Sequence, residues 1–70
     1  MKMIEFKLTG EYIELISLLK FLKIAESGGH AKMMVDDGLV LRNGETEYRR
    51  RAKLRLGDVI QVEGKSVFIS

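Results

Sequence analysis

Between Met3 and Leu8, apolar Ile4, Phe6 and Leu8 alternate with charged Glu5 and Lys7, the period of a short strand half-buried on one face. The period then changes. From about Glu11 to about Leu22 the polar residues Glu11, Glu14, Ser17 and Lys20 recur at every third position, with Lys23 next in the series, among largely apolar neighbours. This predicts a helix capped by Thr9 or Gly10, with Glu11 and Glu14 near the positive end of its dipole. A helix turns by about 100° per residue, so that polar stripe drifts by roughly 60° per step. Lys20 and Lys23 therefore emerge on a different side from the two acids, at the end nearest Ser27.

Ser27 is the natural N-cap of a second helix, which closes at Asp36-Asp37-Gly38 with Gly38 as its left-handed stop. Ala31, Met34 and Val35 recur at the spacing of a buried stripe. Leu39 to Arg42 reads as a strand, Asn43-Gly44 is a strong two-residue hairpin turn, and Glu45 to Tyr48 returns. A loop carrying Arg49 to Lys53 follows, then Leu54 and a Leu56-Gly57-Asp58 turn. Val59 to Val62 is a strand, Glu63-Gly64 a turn, and Lys65 to Ile69 a last strand. Tyr48 reads as a strand residue covering the core. The expected class is α+β, with two helices packed on one face of a small, mostly antiparallel sheet. No linker, repeat or low-complexity segment interrupts residues 1–70, which read as one domain.

Length and composition narrow the function. A 70-residue chain forms one thin core and no deep catalytic cavity. It has no cysteine, so neither a disulfide framework nor a cysteine zinc site is available. The first residues lack an apolar signal core, and the longest apolar stretch, Leu15 to Ala25, is too short and too interrupted to span a bilayer. A cytoplasmic monomer is expected, with no membrane partner, metal or cofactor. The net charge of +2 is small, but it is unevenly spread. Arg42 to Arg55 holds six bases (Arg42, Arg49, Arg50, Arg51, Lys53, Arg55) against Glu45 and Glu47, which is +4, while the segments on either side are each −1. Such concentration is the footprint of a polyanion partner, or else a basic edge that keeps a strand from pairing with another chain.

No catalytic grouping stands out. His30 is the sole histidine and has no nucleophile beside it in sequence, and Ser27 is accounted for as a cap. Asp36 and Asp37 have no third carboxylate at a ligand spacing. Gly28-Gly29 belongs to no Walker or dinucleotide fingerprint. What the two glycines do provide is a helix start whose first N–H groups lack partners inside the helix and lie open to phosphate oxygens. Lys20 and Lys23 end the first helix, His30 and Lys32 lie in the first turns of the second, and Arg42, Arg49, Arg50, Arg51 and Lys53 flank the hairpin. If the second helix docks beside the hairpin, these residues converge on one face. Tyr48 could stack on a base, but no interleaved aromatic pattern accompanies the charges, which favours folded RNA recognised by phosphate contact and shape over a single-strand stacking platform.

Leu18-Leu19-Lys20-Phe21-Leu22, Ser27-Gly28-Gly29-His30-Ala31-Lys32, Asp37 to Gly44 and Leu56-Gly57-Asp58-Val59-Ile60 occur in the order and spacing of a known family. From Glu11 to Glu63 the chain resembles the S-four RNA-binding domain, the αL module of a small-subunit ribosomal protein, bacterial tyrosyl-tRNA synthetases, pseudouridine synthases and a heat-shock protein that binds stalled large ribosomal subunits. The resemblance implies that helix two and the hairpin form the RNA surface, with Ser27, Gly28, His30, Lys32, Arg42 and Asn43 at the contact. Many members carry arginine directly after the motif's serine, where this chain has Gly28, and contact there would fall to backbone N–H groups and Lys32. The Ser-Gly-Gly form is most similar to small, stand-alone bacterial members. Structured RNA is the expected partner, ribosomal RNA first and tRNA or an mRNA leader as alternatives. Two other classes compete. A β-grasp sulfur carrier shares the size and a late Gly-Asp-x-Ile strand, but it needs a terminal Gly-Gly where this chain reads Phe68-Ile69-Ser70. A protein-interaction adaptor would use an exposed sheet edge.

Overall fold

In the computed structural model, which describes residues 2–70, the opening alternation is strand β1 (Lys2–Phe6). A two-residue strand β2 (Ile13–Glu14) runs directly into helix α1 (Leu15–Phe21), and α2 (Gly28–Asp36) follows. Then come β3 (Val40–Arg42), β4 (Glu45–Thr46), β5 (Lys53–Leu54), β6 (Val59–Val62) and β7 (Lys65–Ile69). Five strands form one sheet in the order β1-β7-β6-β3-β4, while β2 and β5 pair as a separate antiparallel ribbon. The β1–β7 pair is parallel and the other pairs of the sheet are antiparallel.

Register puts Ile4 and Ile60 beside Val67, Phe6 beside Ile69 and Val40 beside Val62. Leu15, Leu18 and Leu19 of α1 and Ala31, Met34 and Val35 of α2 pack with these residues in one core. This is the expected arrangement of two helices on a mostly antiparallel sheet. Met3, Glu5 and Phe68 alternate with the core positions and stay at the surface. No helix of the described residues is long and apolar enough to cross a membrane.

The local turn signals appear where the residue types demand them. Asn43 (φ 52°) and Gly44 (φ 88°) both take left-handed backbone, as a two-residue hairpin between right-twisted strands requires, and Glu63 and Gly64 do the same between β6 and β7. At the end of α2, Gly38 (φ 74°) stands in the left-handed position. Its N–H donates to the Val35 carbonyl and that of Leu39 to the Met34 carbonyl, the paired bonds of a Schellman stop.

The first helix departs from expectation. It begins at Leu15, not Glu11, because Ile13 and Glu14 are extended and pair with Leu54 and Lys53. Glu14 makes no side-chain cap. The N–H groups of Leu15 and Ile16 donate instead to the carbonyls of Ala52 and Arg50, so the arginine-bearing loop caps α1. At the other end Lys23 adopts φ 59°, and the N–H groups of Ile24 and Ala25 both return to the Leu19 carbonyl. Lys23 thus belongs to the turn after α1 rather than to the helix. Residues 49–53 are likewise not a plain loop, since Lys53 opens β5 and Ala52 is buried. Tyr48 lies beyond β4 and is 65% exposed against Gly38, so it does not cover the core.

Candidate nucleic-acid interface

The start of α2 is built by its own first turn. Ser27 Oγ accepts the N–H of His30 at 3.1 Å, and His30 Nδ1 accepts the N–H of Glu26 at 3.0 Å. The exchange resembles a capping box with an imidazole in place of the usual carboxylate. It requires Nδ1 to be unprotonated, and it explains the histidine as a local brace. The N–H groups of Gly28 and Gly29 have no partner among the described residues, and a Cβ on either glycine would meet only ordinary contacts, with Lys20 Cδ and Ser27 Oγ respectively, each at 3.9 Å. The helix start therefore offers two open donors with the Lys20 side chain beside them. Lys32 is half-buried one turn further on.

The second group lies around the ribbon. Arg42, Arg49, Arg51, Ala52, Lys53 and Arg55 line one open depression. Two of its side chains, Arg42 and Arg49, are positioned by acids. Glu47, nearly buried, accepts from Arg49 Nε at 3.1 Å, from the Arg49 N–H at 3.2 Å and from Arg42 at 3.4 Å. Asp58 accepts from Arg42 at 2.8 Å, from Asn43 Nδ2 at 3.0 Å and from the Arg55 N–H at 2.8 Å. Arg42 also donates to the Lys53 carbonyl at 2.9 Å. Hydrogen bonding from Arg49 holds the Glu47 carboxyl below its ordinary value against the opposing effect of burial. Burial raises Asp58, but the Arg55 N–H, Asn43 and Arg42 together outweigh it, and the net direction is down.

These contacts sort the expected site residues. Arg42 is largely enclosed, and both polar atoms of the Asn43 side chain are engaged, Oδ1 accepting from the Val59 N–H at 2.9 Å. Both tie the β3–β4 hairpin to the turn before β6. Arg50 is not among the residues lining the depression and pairs with Asp36 at the end of α2, 3.0 Å from Nε to Oδ1. That pair also accounts for one of the two adjacent aspartates, and it lowers the Asp36 carboxyl. Arg51 has no carboxylate partner among the described residues.

The expected basic residues do not gather at one point. Lys20 and the glycines stand at the start of α2, while Arg50 marks its far end, about 12 Å away for a nine-residue helix. Arg55 lines the depression, although sequence marks it only as part of the basic run. Tyr12, some forty residues away in sequence, brings its ring centroid to 5.0 Å from Lys53 Nζ and 5.8 Å from the Arg55 guanidinium. Nothing near Tyr12 in sequence signals that encounter.

A family model described as the S4 domain matches residues 6–70, wider than the Glu11 to Glu63 span of the sequence resemblance. A Bacillus subtilis protein named "Probable ribosome maturation protein RlbA" is 45% identical over 58 residues, covering 79% of this chain and 82% of that one. YbcJ of Escherichia coli is 38% identical over 56 residues, 80% of each chain. The solution structure of YbcJ, described as revealing an αL motif involved in RNA binding, superposes with a TM-score of 0.72 at 34% identity, over 99% of this chain and 89% of that one. The 30S ribosomal protein S4e of Thermoplasma acidophilum gives a TM-score of 0.67 at 25% identity, over 83% of this chain but 31% of that larger one.

Proposed function

This chain belongs to the S4 domain family, and on that premise we propose that it binds structured RNA, holding phosphates in the arginine-lined depression and at the open start of α2. The observation that carries the reading is the depression itself: five cations line it, and the two nearby acids serve as internal braces for Arg42 and Arg49. A phosphate entering it meets an unbalanced positive surface. The relatives' names and the description of the YbcJ structure support the same partner class. Ribosomal RNA is the RNA we favour, because one relative is named for ribosome maturation and a ribosomal protein shares the fold. We read the protein as a cytoplasmic binding module acting as a single copy, without catalysis: Ser27 Oγ and His30 Nδ1 are both occupied in building the helix start.

Titrating a hairpin RNA at increasing salt tests the binding mode. Among the described residues Arg51, Lys53 and Arg55 have no carboxylate partner, and each neutralised phosphate adds roughly 0.7 to 0.9 to the log–log slope, so a slope of about −2 or steeper is expected. A flat response, or tighter binding to an unstructured strand of equal length, overturns the proposal. Crosslinking in cells with sequencing of the bound RNA checks the ribosomal target, and recovery of other RNAs alone would refute that part.

Gly29→Val separates folding from binding at the helix start. The added Cβ meets only an ordinary contact with Ser27 Oγ, and glycine is a poor helix former, so the melting temperature should hold or rise slightly. RNA affinity should fall roughly tenfold, about the worth of one hydrogen bond to a charged group. Lys32→Ala should weaken binding as well, and should also reduce the salt slope by about 0.7 to 0.9. Unchanged affinity in Gly29→Val would mean that the glycines serve only the backbone between the helices.

A further inference from the structure

We propose, resting on the RNA reading above, that Tyr12 is a stacking site for one unpaired nucleobase at the edge of the cationic depression. The β2–β5 ribbon is what builds it. Ile13 pairs with Leu54 and Glu14 with Lys53, so continuing the antiparallel register brings Tyr12 opposite Arg55. Tyr12 is 41% exposed, and its ring lies within cation–π distance of both Lys53 and Arg55, which also line the depression. The other surface aromatics lie elsewhere: Phe21 packs edge-on against Phe6, Phe68 occupies the sheet, and Tyr48 lies against Gly38.

An aromatic ring lying beneath two exposed cations suits a nucleotide's two ends. The base stacks on the ring, and the displaced Lys53 and Arg55 side chains turn to the phosphates on either side of it. Bases inside a continuous A-form stem have no face to offer, whereas a bulged or looped-out base does. The site therefore selects structured RNA that carries an unpaired nucleotide, a discrimination that the charges alone cannot make.

The test compares a blunt RNA duplex, the same duplex with one bulged nucleotide, and the bulged duplex with an abasic sugar at that position, by fluorescence anisotropy at about 0.1 M salt. The protein is expected to prefer the bulged duplex about tenfold, within the range of one base–aromatic stack. Tyr12→Leu should abolish the preference with duplex affinity unchanged, and Tyr12→Phe should retain it. The abasic bulge should lower the unmodified protein to duplex affinity, a result independent of whether any variant folds. A preference that survives Tyr12→Leu or the abasic bulge, or duplex binding with no preference for the bulge, overturns the stacking site and leaves the RNA reading standing. Failure to bind any of the three RNAs overturns both.

Discussion

Replacing Arg51, Lys53 and Arg55 together by glutamine is expected to lower affinity for structured RNA about a hundredfold at 0.1 M salt with little change in the melting temperature. Each phosphate contact contributes roughly 0.7 to 0.9 log units per decade of salt, so three contacts amount to a little over two log units at 0.1 M relative to 1 M. Glutamine keeps much of each aliphatic stem while removing the charge. Among the described residues none of the three has a carboxylate partner to leave stranded, and all three are exposed. Surface changes of this kind usually alter stability by no more than about 0.5 kcal/mol. Binding isotherms at several salt concentrations and a thermal melt on the same protein check both halves. The salt slope should flatten by about 2. Equal affinity at low salt would mean that the depression is not where phosphate binds. Alanine at Arg49, Arg50 and Arg51 is a less clean experiment, because it also removes the partners of Glu47 and Asp36.

Arg42→Met should have the opposite profile, a large loss of stability. Its guanidinium contacts Asp58, Glu47 and the Lys53 carbonyl at once, and it is largely enclosed. Removing one partner of such a group leaves mostly buried carboxylates short of a donor, which costs about 2 to 3 kcal/mol. For a domain of this size each kcal/mol moves the melting temperature by about 4 to 8 °C, so a fall of roughly 10 to 20 °C is expected at pH 7. The variant's deficit should also depend on pH. Glu47 and Asp58 are both held below their ordinary carboxylate values in the folded state. Their contribution is therefore fully present above the unfolded values near pH 4 and is lost as pH falls through the lower folded values. The gap between the two proteins should narrow in the same acidic window, because a protonated carboxyl no longer needs the cation. Melts at pH 7 and pH 3 decide it. A deficit that is constant with pH would indicate lost packing by the arginine stem rather than lost charge.

The two substitutions separate roles that sequence alone assigned to one basic run. Six bases between Arg42 and Arg55 look equivalent as a string. In the fold, Arg42 and Arg49 are braced by acids, Arg50 ties the end of α2, and Arg51, Lys53 and Arg55 have no carboxylate partner among the described residues. For Asn43, the resemblance implies RNA contact, and in the fold its amide also bonds Asp58 and the Val59 N–H, tying the hairpin to the turn before β6.

What sequence determined on its own is what depends on a few neighbouring residues. Asn43-Gly44 and Glu63-Gly64 form tight turns because their backbone must enter the left-handed region, and the strands they join follow from that. Ser27 caps α2 and Gly38 ends it through hydrogen bonds that span three to five residues, and the stripe of Ala31, Met34 and Val35 follows from helical period alone. These features are local, so the pattern of residues is sufficient to place them. Tertiary structure decided whatever joins distant segments. A period of three around Glu11 favours helix, but β5 captures Ile13 and Glu14 as a strand, and the Arg50 and Ala52 carbonyls take the place of a side-chain cap. The same ribbon sets Tyr12 beside Lys53 and Arg55, and the turn before β6 delivers Asp58 to Arg42. Backbone pairing and ion pairing of this kind have no period and no fixed spacing. They exist only once the core has brought the two segments together, and for that reason the composition of the basic surface was legible in the chain while its division into braces and open cations was not.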